Sequence, residues 1–247
     1  MKIGAQFFTL RDFCQTPEGL SESLKKVAEI GYPCVQLAGT FPFDFAWVKG
    51  ELEKNGLTCP LTHALPESLK KDPAGLCEKH DLIGAPYIGL GWYGHNEQDP
   101  TEAFLPAYRE TMRVFKDHGK LFMMHNHDQE FQKIEGRPIL QWLSEQTAPD
   151  ELGFTLDTFW VQAGGGDPAE WMEKLSGRIP CIHLKDFAYG RKMAVLGEGN
   201  INFDRVFEKA ESAGVRYAFV EQDDCNGEDP FDCLRRSFAY LRSRGLV

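Results

Sequence analysis

The sequence predicts a single (β/α)8 barrel spanning residues 1–247, and three observations carry the prediction. Eight strand-length apolar runs alternate with helix-length segments at fairly even spacing. Alternation of that kind builds parallel sheet, and eight units close a barrel. The length of 247 residues, 42% hydrophobic and 26% charged, suits one such domain. No linker, low-complexity tract or charge run marks a second one.

Ile3–Phe8 reads as the first strand. Thr16-Pro17-Glu18-Gly19 leads into a helix over Leu20 to Ile30, with Leu20, Leu24, Val27 and Ile30 on one side and Gly31 as its stop. Cys34–Ala38 is the second strand, followed by a helix opening at Phe45-Ala46-Trp47-Val48 and ending near Asn55-Gly56. Leu57–His63 is the third strand, and a helix follows over Asp72 to Leu82. Tyr87–Gly91 is the fourth strand, and Pro100 to His118 is a longer helix with Phe104, Tyr108, Met112 and Phe115 as its core face. The fifth strand begins at Leu121 and runs into His125-Asn126-His127-Asp128-Gln129-Glu130. After a helix over Pro138 to Glu145, the sixth strand, Phe154–Asp157, ends in a carboxylate. Gly164-Gly165-Gly166 reads as a turn rather than a phosphate cradle, with Pro168 near the start of the next helix. The seventh strand carries His183, the eighth, Tyr217–Glu221, ends in Glu221, and the last helix covers Pro230 to Arg244.

A formal net charge of -10 argues against a nucleic-acid surface, which needs a basic patch. No apolar run reaches membrane-spanning length, and Met1-Lys2-Ile3 runs straight into a strand without a signal peptide. Seven scattered cysteines, none in a Cys-x-x-Cys pair, read as reduced thiols of a cytoplasmic protein.

In such a barrel the active site forms at the carboxyl ends of the strands. The polar strand ends Gln6, Gln36, His63, His125 to Glu130, Asp157, His183 and Glu221 therefore converge. Crowded carboxylates repel unless a cation or proton compensates them, and carboxylates with neutral imidazoles suit one divalent ion such as Mn²⁺, Co²⁺, Mg²⁺ or Zn²⁺. Taken singly, Asp157 would serve equally as a helix cap, and His183 as a satisfied core histidine. Their occurrence on successive strands points to a shared metal site. His80, His95 and His118 are expected on the surface.

The chain resembles the xylose isomerase-like TIM barrel family, in its sugar phosphate isomerase and epimerase branch. The matching stretches are Gln6–Asp12, His125–Phe131, Leu156–Trp160, His183–Asp186 and Leu196–Phe203. The resemblance implies one divalent cation held by Glu, Asp, His and Glu on the last four strands. Asp157, His183 and Glu221 match; at the fifth strand the ligand is Glu130, or else His125 or His127. Gln36 stands where relatives commonly carry a glutamate. The implied chemistry is proton transfer beside a carbonyl through an enediolate. Glu221 would act as base and ligand, Glu130 as its partner across the substrate, and Lys185 on oxyanion charge, unless Lys185 only pairs with Asp186. His63 and His127 would bind substrate hydroxyls, with Trp160 and Phe7 as an apolar wall.

The expected ligand is a small sugar or sugar phosphate, and such barrels commonly form homo-oligomers. A dehydratase or lyase on a keto-sugar or keto-inositol is the main alternative, because an enediolate can also expel a β-hydroxyl. A non-catalytic sugar-binding barrel is another. A multi-metal DNA-repair endonuclease fits poorly with the acidic charge and the thin supply of strand-end histidines.

Overall fold

The structure, a computed structural model, describes residues 1–93 and 100–247, with backbone alone at 100–102. His95 therefore lies outside the described residues. The barrel strands are Lys2–Gln6, Cys34–Leu37, Thr58–Ala64, Tyr87–Leu90, Leu121–His125, Leu152–Asp157, Cys181–Leu184 and Tyr217–Val220. Each is hydrogen-bonded to the next in chain order, and the first pairs in parallel with the eighth. This is the (β/α)8 barrel that the alternation predicts.

Register explains how the sequence builds the site. Side chains alternate along a strand, so positions two apart share the barrel interior. Inside lies an apolar layer of Cys34, Leu61, Tyr87, Met123, Cys181 and Phe219. Two residues further along the same strands come Gln36, His63, Gly89, His125, His183 and Glu221. The polar layer thus stands on the apolar one, one pleat nearer the carboxyl ends. The second face of each strand packs on the helices in a larger core that includes Phe122, Phe154, Leu156 and Ile182.

The helices begin where sequence chemistry places a cap. Thr16, Asp44, Asp72, Asp167 and Asp229 each accept a backbone N–H from the first turn of the helix they precede. The first strand is shorter than expected. It stops at Gln6, whose side-chain oxygen accepts Phe8 N–H at 2.5 Å and starts a 3₁₀ turn over Phe7–Phe13. Two small hairpins, Lys133–Ile134 with Arg137–Pro138 and Asp186–Ala188 with Lys192–Ala194, decorate the carboxyl-end loops. Asp186 accepts the N–H groups of Phe187, Gly197, Gly199 and Ile201, which ties the 196–201 stretch to the seventh strand.

All seven cysteines are free. No helix among the described residues is long and apolar enough to cross a membrane.

His80 corrects an expectation. His118 is exposed in the turn after its helix, but His80 is 1% exposed. One ring nitrogen faces Thr62 Oγ1 at 2.7 Å and the other faces the Leu76 carbonyl at 2.6 Å, so the ring ties its helix to the third strand. Burial lowers its pKa to about 4. In the unfolded chain the ring titrates near 6.5, so between these values the unfolded state binds more protons. Stability is therefore fully present above about pH 6.5 and drains as pH falls towards 4, by roughly 2–3 kcal/mol at pH 4.5. Urea denaturation at pH 7 and 4.5 should show this loss, and His80→Gln should be less stable at pH 7 but lose less on acidification. An equal acid loss in the variant would exclude His80 as its source.

Candidate metal centre and active site

Four buried side chains from the last four strands meet at the carboxyl end of the barrel. His125, Asp157, His183 and Glu221 each offer a ligand atom, and these atoms all lie within 4.8 Å of one another. Neighbouring strands place Asp157 beside His183 in register. His125 Nε2 is 3.1 Å and His183 Nδ1 is 3.5 Å from Asp157 Oδ2, and His183 Nδ1 is 2.7 Å from Glu221 Oε2.

The far side of each group is fixed by a partner of its own. Asp157 Oδ1 accepts Trp160 N–H at 3.0 Å, so it caps the next helix while Oδ2 faces the cluster. The cap reading of Asp157 holds through Oδ1, and Oδ2 is left for the cluster. Asn126 Oδ1 accepts Asp157 N–H at 3.0 Å and sets the backbone there. Gln6 Nε2 donates to Glu221 Oε1 at 2.6 Å. His125 Nδ1 faces the Gly91 carbonyl at 2.9 Å, and His183 Nε2 faces Gln36 Oε1 at 2.7 Å.

These contacts pose a problem in protons. His125 has an acceptor at both ring nitrogens, Gly91 O and Asp157 Oδ2, while His183 faces Glu221 at Nδ1 and the Gln36 amide at Nε2. A neutral imidazole has one N–H, so the His125 ring turns a lone pair on an acceptor unless a proton or metal ion lies between them. His183 Nδ1 and Glu221 Oε2 are also buried without a hydrogen bond of good geometry. The donor set therefore fits a divalent cation held by two imidazoles and two carboxylates.

The charges point the same way. Burial disfavours a charged His183, but Glu221 and Asp157 outweigh it and raise the pKa to about 9. Burial would raise Asp157 and Glu221, yet Lys185 and the histidines hold both well below the usual carboxylate range. Lys185 Nζ reaches Asp157 Oδ2 at 3.2 Å, Glu221 Oε2 at 3.0 Å and Asp223 Oδ2 at 2.9 Å. It does not pair with Asp186, which is spent on backbone N–H groups.

A cavity of about 540 Å³ opens over the cluster. Its polar side holds Gln6, His63, His125, His127, Glu221 and Asp223, and its apolar side Phe8, Ala64, Leu65, Pro66, Leu90 and Trp92. His63 Nε2 and His127 Nδ1 are buried without a hydrogen-bond partner, so both can receive a ligand's hydroxyl groups. Burial first, and then neighbouring imidazoles, lower both pKa values, His127 to about 3. Four histidine rings thus gather here, with His125 centroids 4.5 Å from His183 and 4.7 Å from His127. The supply of strand-end histidines is richer than a strand-by-strand reading suggests, because His127 folds back beside His125.

Three expected roles sit elsewhere. Glu130 does not join the four: its carboxylate accepts His127 N–H at 2.6 Å and the Gln129 amide at 3.1 Å, bracing the turn after the fifth strand. His125, at the strand end itself, stands in the cluster instead. Phe7 is wholly buried in the core, and Phe8 lines the cavity in its place. Trp160 backs the site through His127, its ring centroid 4.9 Å away, and Lys185. Asp223 was missed, although it shares the inward face of Glu221 two residues on.

The chain belongs to the xylose isomerase-like TIM barrel family, whose model matches residues 24–244. A solved sugar phosphate isomerase/epimerase from Parabacteroides distasonis is 23% identical, with a TM-score of 0.86 over 100% of this chain and 95% of that one. A probable 3-DHS dehydratase from Bacillus anthracis is 16% identical, with a TM-score of 0.76 over 99% and 100% of the two chains. An L-ribulose 3-epimerase is 14% identical, also at 0.76, over 100% and 95%. No curated protein gives a significant match. At these identities the solved structures establish a shared fold.

Gly91 supplies the space as well as the carbonyl. A Cβ built on it would lie 2.6 Å from His63 Nδ1. Gly91→Ala should cost roughly 1–3 kcal/mol by forcing the ring aside. Urea denaturation measures it, and unchanged stability would show that the His63 ring moves freely.

Proposed function

We propose that this chain is a divalent-metal-dependent enzyme that moves a proton beside the carbonyl of a small, uncharged keto sugar. The observation that carries the reading is the buried set of two imidazoles and two carboxylates whose ligand atoms all lie within 4.8 Å of one another. His125, Asp157, His183 and Glu221 would hold the ion. A bound divalent ion supplies Lewis-acid polarisation of a carbonyl and the adjacent hydroxyl. Around it, Asp157, Glu221 and Asp223 carry three negative charges against one on Lys185, and a divalent ion balances the remainder.

Glu221 is the base. It lines the cavity beside the ligand set, with Oε1 held by the Gln6 amide, and its carboxylate takes the proton from carbon. Lys185 donates an N–H to the oxygen on which charge develops. His63 Nε2 and His127 Nδ1 hold the sugar hydroxyls, and the Leu65, Pro66 and Trp92 side of the cavity covers its carbon face. With Glu130 engaged in its turn, one carboxylate returns the proton to the former carbonyl carbon on the same face, while the adjacent hydroxyl proton passes to the former carbonyl oxygen. That transfer is an isomerisation. Expulsion of a β-hydroxyl from the same enediolate is the second reading, favoured by the likeness over 99% of the chain to a protein described as a probable dehydratase. Loss of water from the product distinguishes the two.

The preference for an uncharged sugar rests on the lining. Lys185 is the one cation among the described lining residues, and the carboxylates of Glu221 and Asp223 line the same cavity. The Gly164-Gly165-Gly166 turn is no phosphate cradle either, since its N–H groups bond to the carbonyls of Trp160, Gln162 and Val161.

Metal analysis of the purified protein should find about one divalent ion per chain, lost in Asp157→Ala and in His183→Ala. Gln36→Leu should keep the fold and weaken metal binding by roughly 10–100-fold, because it releases the His183 ring. A wild-type protein that refuses added Mn²⁺ would end the metalloenzyme reading and leave a sugar-binding barrel. In a substrate screen, free keto sugars should exceed their phosphate esters in kcat/KM by roughly tenfold or more. Equal turnover of the phosphates would overturn the charge argument.

A further inference from the structure

We propose that Lys185 is a built-in competitor for the metal site, and that a divalent ion gains Asp157 and Glu221 by displacing the Lys185 ammonium onto Asp223. The inference rests on the metal reading above and concerns what the ion must overcome. Lys185 is 2% exposed, and its Nζ contacts the same two oxygens, Asp157 Oδ2 and Glu221 Oε2, that His125 and His183 face. An ammonium and a divalent ion cannot share those oxygens, because two cations about 3 Å apart in a buried site repel strongly.

The carboxylates are the fixed parties. Asp157 is held by its cap to Trp160 N–H, and Glu221 by Gln6. The lysine is the movable one, a point charge on a flexible four-carbon stem. It has a place to go. Asp223 Oδ2 is already 2.9 Å from Nζ, and Asp223 Oδ1 is buried without a hydrogen-bond partner. Asp223 lies outside the four metal-capable groups, so it can keep the ammonium while the ion takes the other two carboxylates.

The test is Mn²⁺ affinity by equilibrium dialysis on chelator-treated full-length protein, with folding checked by circular dichroism. Lys185→Met should bind Mn²⁺ roughly tenfold or more tightly than wild type, as the competing charge is gone. Asp223→Asn should bind it more weakly, since the displaced ammonium has lost its receiver. In the Lys185→Met background the same Asp223→Asn change should have little effect, whereas simple loss of a nearby negative charge would weaken binding in both backgrounds. Wild-type binding that Lys185→Met leaves unchanged or weakens overturns the competition and leaves the metal reading standing. No Mn²⁺ on any of the proteins overturns both. Should Lys185→Met not fold, unchanged or tighter binding in Asp223→Asn still overturns the proposal.

Discussion

Two buried imidazoles and two buried carboxylates in this barrel bring their ligand atoms within 4.8 Å of one another, and most of the site's construction follows from that constraint. The groups behind the rings, Gly91 O and the Gln36 amide, aim His125 and His183 at Asp157 and Glu221. The carboxylates are aimed in turn, since each gives one oxygen to Trp160 N–H or the Gln6 amide and keeps the other for the cluster. The side chains meet in one geometry because their outer atoms are already engaged. What remains inside is a demand for positive charge. Lys185 meets part of it, and a divalent ion would meet the rest.

The barrel can afford this arrangement because of where it lies. One pleat below the cluster the interior is filled by Leu61, Tyr87, Met123 and Phe219, so the polar layer rests on a packed floor. Above it the strands give way to loops that carry little of the core and can hold functional groups. Glu130 shows how the loops serve the strands: its carboxylate holds the turn that returns His127 to the side of His125. Gln6 joins both levels, capping the 3₁₀ turn through its oxygen and holding Glu221 through its nitrogen. The cavity above is lined by His63, His125 and His127 together with Leu65, Pro66 and Trp92.

Much of this was legible in the chain itself. Strand and helix periods, with glycine and proline punctuation, gave the eight units in order. The same period of two put His183 and Glu221 on the inward face and could have flagged Asp223. Asp157 was harder, since a strand-end aspartate before a helix is an N-cap by local rules, and it is one here. Its second oxygen gains meaning only from His125 and His183 on neighbouring strands. His80 was misjudged because a histidine on a surface helix reads as solvated, and no local pattern shows Thr62 waiting beneath it. Phe7 and Phe8 exchanged roles because Gln6 ends the strand early and turns the chain.

The sequence by itself determined the architecture and the kind of chemistry gathered at the strand ends. Both depend on residue type and on spacing along the chain, which local sterics and burial translate directly. The tertiary structure alone decided the membership of the cluster: His125 rather than Glu130, and Lys185 among three carboxylates rather than paired with Asp186. Those choices are made between residues far apart in sequence. They turn on which side-chain atoms are already engaged by a cap, an amide or a carbonyl, and only the closed barrel brings those partners within hydrogen-bonding distance.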